Sequence, residues 1–178
     1  MAHEFVQAHQ QLGPRLIDSQ KVALQSWADE YRGELGIALS DTMGFDKFLK
    51  DFDRFFSLLF DGCRQDSGNP VQWADKLIAH YKGMRIDPRS KTAIFSDGLT
   101  FKTAVDLFNR FHRQISTSFG IGTYLTNDCG FIAPQIVIKM VECNWKPVAK
   151  VSDSEDKGMC EDSEFLKYLK KVIREDIA

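Results

Sequence analysis

Between residues 36 and 123 the chain repeats one pattern four times, an apolar run that breaks into small polar residues. The repeats are Gly36-Ile-Ala-Leu-Ser-Asp-Thr42, Gly62-Cys-Arg-Gln-Asp-Ser-Gly68, Thr92-Ala-Ile-Phe-Ser-Asp-Gly98 and Ile115-Ser-Thr-Ser-Phe-Gly-Ile-Gly-Thr123. Short apolar runs bounded by turn residues read as buried strands. Between them lie helical periodicities. Val22, Ala23, Trp27 and Tyr31 recur at helical spacing, with Ser19 placed to cap that helix and Gly33 to end it. Phe45, Phe48, Leu49, Phe52, Phe55, Phe56 and Leu59 form one stripe of 3.6-residue period, which predicts a single helix lying on a sheet. Asn69 and Pro70 open a helix reaching about Tyr81, and Thr100 caps another bearing Ala104, Val105, Leu107, Phe108 and Phe111.

Strand and helix therefore alternate, which predicts parallel strands with helical crossovers, in a barrel or an open doubly wound sheet. Beyond residue 123 the pattern changes. Residues 135–142 and 147–152 flank Cys143-Asn-Trp-Lys146 as a β-hairpin, and 165–173 reads as a closing helix. The expected organisation is an α/β unit over 1–130, either a partial barrel or an open sheet, and a hairpin and helix over 131–178 that belong to a second layer. A complete eight-stranded barrel takes about 250 residues, and only four strand tips are visible.

Composition narrows the class. The chain has 178 residues, 43% of them hydrophobic, enough for a domain with its own core. Its 23 basic and 25 acidic residues are scattered, so no broad field points to nucleic acid or membrane. No apolar run approaches the roughly 20 residues of a transmembrane helix. The start lacks the basic and apolar regions of a secretory signal, so cytoplasm is the expected location. Cys63, Cys129, Cys143 and Cys160 make no CxxC pair and read as reduced thiols. No GxxxxGK[ST] occurs, Gly120 and Gly122 lack the third glycine of a dinucleotide turn, and His3, Glu4 and His9 miss the HExxH spacing by one.

The strand tips hold the remaining chemistry. Gly120, Ile121, Gly122 and Thr123 combine two residues free to adopt positive φ with a hydroxyl; they read as a backbone nest for phosphate or as a plain tight turn. No helical pattern follows them. Asp41, Asp66 and Asp97 at successive tips suit ribose hydroxyls or a divalent cation, or else cap helices and solvate loops. The combination fits a sugar phosphate. A noncatalytic sugar-phosphate module and an unrelated phosphosugar enzyme are the competing readings. The latter needs a catalytic Lys or Glu on a strand, whereas Lys91 and Lys139 lie outside the repeats.

Several motifs in order carry a family likeness: Met1-Ala-His-Glu-Phe with Gln7-Ala-His-Gln-Gln11, Arg64-Gln-Asp-Ser-Gly-Asn-Pro70, Phe95-Ser-Asp-Gly-Leu99, Ser118-Phe-Gly-Ile-Gly-Thr-Tyr-Leu-Thr126, Val137-Ile-Lys-Met-Val-Glu-Cys-Asn144 and Lys146-Pro-Val-Ala-Lys-Val-Ser-Asp-Ser154. Together they resemble the carboxyl-terminal half of a bacterial nicotinate phosphoribosyltransferase. The resemblance implies an irregular α/β barrel of the type II phosphoribosyltransferase kind, with a second domain built from both chain ends. It implies an NAD-salvage enzyme that joins nicotinate to phosphoribosyl pyrophosphate. Nicotinate mononucleotide and pyrophosphate result, with ATP hydrolysis coupled through a phosphohistidine and Mg2+ accompanying the pyrophosphate substrate.

By motif, the resemblance makes His3 the phosphorylated residue and Glu4 its orienter. Arg64 would meet nicotinate or phosphoribosyl charge, unless it is a plain salt-bridge partner. Asp66, with its neighbours Ser67 and Gly68, and Asp97, with Gly98, would hold ribose, and Gly120 to Thr123 the 5′-phosphate. Asp41 is a weaker candidate for the sugar or its magnesium, and no resident metal site is expected. His9, His80 and Cys63 take no role. Two departures stand out: Asn69 replaces the family's Asp, keeping a cap and losing a charge, and the Gly-Thr expected just before Met1 is absent. The family chain is about twice as long, so an inactive portion is expected, completed by an amino-terminal half in cis or in trans and within a homodimer.

Overall fold

The computed structural model describes residues 1–134, 136–154 and 157–178. The elements in order are α1 (His3–Leu12), α2 (Ser19–Tyr31), β1 (Ile37–Leu39), α3 (Phe45–Asp51), α4 (Arg54–Leu59), β2 (Gly62–Gln65), α5 (Pro70–Gly83), β3 (Thr92–Phe95), α6 (Phe101–Phe111), β4 (Ser116–Phe119), α7 (Thr123–Thr126), β5 (Glu142–Cys143), β6 (Lys146–Pro147) and α8 (Ser163–Ile177). Among the described residues no helix is long and apolar enough to cross a membrane.

The four predicted strands form one parallel sheet in the order β1-β2-β3-β4, with Ile37 opposite Gly62, Gly62 opposite Thr92 and Thr92 opposite Ser116. Every strand therefore ends at the same edge, and the polar ends of the four repeats come together there. Among the described residues the sheet is open, with β1 and β4 at its edges. One face carries the small residues Ala38, Cys63 and Ala93, all fully buried in the main core. Small side chains on that face let helices approach, and Phe48, Phe52, Phe56, Trp73, Leu77, Tyr81 and Phe111 fill the space above. Burial pushes the Cys63 thiol up to about 12, so it stays a neutral core group beside the Tyr81 hydroxyl.

The predicted caps at Asn69 and Thr100 are present. Asn69 accepts from Val71 and Gln72 N–H, and Thr100 forms a reciprocal capping box with Thr103. Three local expectations are corrected. The stripe over 45–59 is two helices, because the Asp53 carboxylate accepts from Phe55 and Phe56 N–H and starts a new helix at Arg54. Ser19 does not cap α2; it is the first helical residue, and its buried hydroxyl donates to Met43 Sδ at 3.3 Å. The helix ends through Arg32, itself left-handed at φ 52°, just before Gly33.

The hairpin turn falls at Asn144 and Trp145, both with positive φ, but its paired strands are only Glu142–Cys143 and Lys146–Pro147. Gln135, where the first hairpin strand was expected to begin, lies outside the described residues, as do Glu155 and Asp156. Val148 N–H still donates to the Val141 carbonyl at 3.0 Å, but the Pro147 and Ala149 backbones also meet α1. Gln10 exchanges two hydrogen bonds with the Ala149 backbone, and Gln11 donates to the Pro147 carbonyl. Helix α8 closes a second core of Met43, Ala149, Leu169 and Ile173.

Candidate active site at the strand tips

The turn after β1 delivers Asp41, 1% exposed, beside the amino-terminal end of α1, which delivers His3, 4% exposed. His3 Nε2 lies 2.8 Å from Asp41 Oδ1 and 3.6 Å from Asp66 Oδ2. On the other side of the ring, Lys139 Nζ lies 3.2 Å from Nδ1. An ammonium only donates, so Nδ1 accepts and Nε2 carries the hydrogen given to Asp41. The imidazole thus has an assigned tautomer, with a lone pair on Nδ1 beside a cation.

The second oxygen of Asp41 accepts from Ser67 Oγ at 2.8 Å and pairs with Lys150 Nζ at 2.9 Å. Burial by itself would raise the Asp41 carboxyl, but the hydrogen bond from His3 and the ammonium of Lys150 outweigh it, holding the group well below the usual carboxylate range. Asp66 Oδ1 accepts from an Arg64 terminal nitrogen at 2.9 Å, and Arg64 Nε donates to Ser96 Oγ at 2.8 Å. Asp97 pairs with Lys157, which also donates to the Asp66 carbonyl at 3.2 Å.

Of the residues singled out from sequence, His3, Asp41, Arg64, Asp66 and Ser67 converge on one network, and Asp97 joins it through Lys157. Glu4 does not reach the imidazole. It stands 3.9 Å from Lys139, and the carboxylate that orients His3 is Asp41. The glycines at Gly120 and Gly122 are not in positive φ, so the expected nest geometry is absent there; Gly68 at φ 76° and Gly98 at φ 57° take that conformation instead. The Gly120 N–H is spent on the Phe95 carbonyl, and a Cβ at Gly120 would come within 3.2 Å of Ser96 Cβ. Close approach to β3, rather than an anion, explains that glycine. Thr123 opens the single turn α7, where no helix was expected.

Lys139, Lys150 and Lys157 were not anticipated in the site. Each comes from a segment after the sheet, and sequence spacing says nothing about which strand tip such a segment crosses. His9 and His80 are occupied structurally, on the Phe5 and Phe52 carbonyls.

One ligand atom each from His3, Asp41 and Asp66 lies within 4.8 Å of the others. Mg2+ takes oxygen ligands and retains water. Here both Asp41 oxygens are committed, Nε2 bears a hydrogen, and the Lys150 ammonium is 4.0 Å from Asp66 Oδ2. The cluster does not fit a magnesium site.

Removing Asp41 would leave Lys150 buried without its partner and His3 without an acceptor. Asp41→Ala is therefore expected to lower stability by about 3–5 kcal/mol, roughly a 10 °C drop in melting temperature for a chain of this size. The sign with pH follows from the depressed folded value. The contribution is complete above the ordinary carboxyl value of 3.8 and lost as pH falls below it. Thermal unfolding of both proteins at pH 7 and pH 3 checks this: the gap should narrow at pH 3.

A parallel sheet whose tips gather a buried histidine, several carboxylates and three lysines defines an α/β protein with its polar groups at the edge where such folds bind ligands. Comparison with known proteins makes the class specific. The chain belongs to the nicotinate phosphoribosyltransferase (NAPRTase) family, whose model matches residues 1–176. It is 59% identical over 173 residues to the nicotinate phosphoribosyltransferase of Ralstonia nicotianae and 58% identical over 172 to that of Cupriavidus necator, covering 97% of this chain and 44% of each relative. The crystal structure of nicotinate phosphoribosyltransferase from Vibrio cholerae superposes with a TM-score of 0.94 at 46% identity, over 97% of this chain and 43% of that one. A putative nicotinate phosphoribosyltransferase from Saccharomyces cerevisiae gives 0.88 at 32% identity, over 98% of this chain and 44% of that one. The chain thus spans less than half the length of the relatives it matches.

Proposed function

We propose that this chain is the portion of a nicotinate phosphoribosyltransferase that carries the phosphoryl-accepting histidine and much of the ribose-phosphate rim. The observation that supports this best is the buried His3–Asp41 pair with Nδ1 turned to Lys139. ATP would supply the phosphoryl group. The Nδ1 lone pair attacks the terminal phosphorus, the bond to the ADP oxygen breaks and its electrons leave with ADP. The imidazole becomes cationic, and the Nε2 hydrogen bond to the ionised Asp41 stabilises that charge. Lys139 then meets the added phosphate.

In the transfer itself, nicotinate displaces pyrophosphate from C1 of the ribose, which develops oxocarbenium character. Asp66 and Asp97 hold hydroxyls and offer fixed negative charge to it. Arg64 meets the carboxylate of nicotinate. Residues 120–123 serve the 5′-phosphate through the tip of β4 rather than through positive-φ glycines. Magnesium arrives with pyrophosphate oxygens, since the His3 cluster does not fit it. The four strands are part of a larger barrel, 131–178 contribute to a second domain, and a homodimer is the assembly. The remaining length of the relatives supplies the rest of the site.

The test is complementation. Co-expressed with the amino-terminal portion of a relative, the chain should yield a soluble complex that makes nicotinate mononucleotide from nicotinate and phosphoribosyl pyrophosphate, faster with ATP, while the chain alone makes none. A folded complex without product would overturn the proposal.

A further inference from the structure

Residues 147–154 cross the strand tips as a strap, and it is fastened at several points to the turns that carry the site. Val151 N–H donates to the Thr42 carbonyl at 2.8 Å, Asp153 N–H to Ser67 Oγ at 3.2 Å, and Gly68 N–H to Ser154 Oγ at 3.0 Å. The strap also inserts Lys150, 2% exposed, against Asp41. Ser67 links the two elements, donating to Asp41 while accepting from the strap.

The groups around Asp41 decide what Lys150 does. From α1 comes His3, uncharged in the tautomer assigned above. From the β2 tip come Ser67 and the Asp66 carboxylate, which has its own cation in Arg64. From the strap come Lys150 and, further off, the Asp153 carboxyl, which burial and then the Asp41 charge push up. Lys139 pairs with the far side of His3. Among the described residues Lys150 is the one lysine or arginine bonded to Asp41.

We propose that Lys150 is a positioning residue that acts on His3 through Asp41, keeping that carboxylate ionised and fixing one of its oxygens so that the other faces Nε2. Without Lys150 the carboxylate would have only neutral partners in a buried site with a second carboxylate close by. It would then take up a proton and become a weak acceptor for His3. The importance of this for catalysis rests on the proposed role of His3; the geometry at Asp41 does not.

The experiment follows the Asp41 side-chain carboxyl by carbon-13 NMR in the folded chain as pH is lowered. In the unsubstituted chain the signal should stay flat from pH 7 to 4, below which ordinary aspartates have already begun to titrate. In Lys150→Gln the midpoint should rise by more than one pH unit, a tenfold or greater gain in proton affinity. Lys150→Arg should track the unsubstituted chain, and Ser67→Ala should shift less than Lys150→Gln. Titration of Asp41 with ordinary aspartates in the unsubstituted chain overturns the proposal, and that measurement decides the matter even if Lys150→Gln does not fold. A folded Lys150→Gln chain with an unmoved midpoint overturns it equally. Failure of phosphoryl transfer would count against the function of His3 and leave this result standing.

Discussion

His3→Ala, tested in the complemented enzyme, is expected to incorporate no phosphate from ATP labelled at the terminal position, while the unsubstituted complex carries an acid-labile, base-stable label. His3 is the one side chain in the site whose geometry leaves a neutral nitrogen lone pair facing a cation. The other histidines are not equivalent acceptors: His9 Nδ1 is bonded to the Phe5 carbonyl and His80 Nε2 to that of Phe52. His112 is an exposed residue just past the end of α6, its Nδ1 on the Phe108 carbonyl. A label that persists in His3→Ala would move the phosphorylated position elsewhere. ATP-independent product formation should survive in that variant at a low rate, because the proposed ribose contacts at Asp66 and Asp97 do not pass through the imidazole. A variant inactive by both measures yet folded would make His3 part of the transfer step rather than of the ATP coupling alone.

The second large effect concerns the sheet. Gly62→Ala is expected to remove more than 5 kcal/mol, comparable with the entire stability of an ordinary domain. Gly62 begins β2, between Ile37 and Thr92 in the register. A Cβ there would overlap the Thr92 carbonyl oxygen and stand 2.7 Å from its carbonyl carbon and 2.9 Å from its nitrogen. All three are backbone atoms of the adjacent strand, so no rotamer change relieves the overlap, and β2 must part from β3. Every strand tip in the site depends on that pairing. The measurement is soluble yield and thermal unfolding beside Gly83→Ala, where a Cβ meets no atom within 4 Å at the end of α5 and stability should hold or rise slightly. Equal stability of the two variants would mean that β2 and β3 lie further apart than described.

The strands and most of the helices over 19–119 were readable because there the two periodicities coincide with burial. The break at Asp53 was hidden for the opposite reason: Phe52, Phe55 and Phe56 keep the apolar rhythm while a single carboxylate ends one helix and begins the next. Helix α1 left no periodic trace at all. Its buried face is His3, Val6, Gln7, His9 and Gln10, mostly polar side chains facing carbonyls and carboxylates rather than a core. In the site, residues sharing a strand tip with a recognisable turn were legible, as Asp66 and Asp97 show. Lys139 and Lys150 were not, since Lys139 reaches His3, and Lys150 reaches Asp41, only through contacts between positions far apart in the chain. Gly120 marked a real constraint, yet the constraint is the closeness of Ser96 at the end of β3 rather than the sign of φ, while a Cβ at Gly122 would meet no atom within 4 Å.

The separation between His3 and the lysines that flank it also sets a timetable. His3 and Lys139 are 136 positions apart, and a ribosome adding about 5–20 residues per second needs on the order of ten seconds to bridge them. Throughout that interval α1 has no carbonyls for Gln7, Gln10 and Gln11 to bind, because Met140, Pro147 and Ala149 do not yet exist. The sheet can assemble early from neighbouring strands, but the histidine is seated late. Synthesis thus builds the scaffold first and assembles the reactive centre only when the strap arrives, so a nascent chain stalled before residue 139 would hold the sheet without its chemistry.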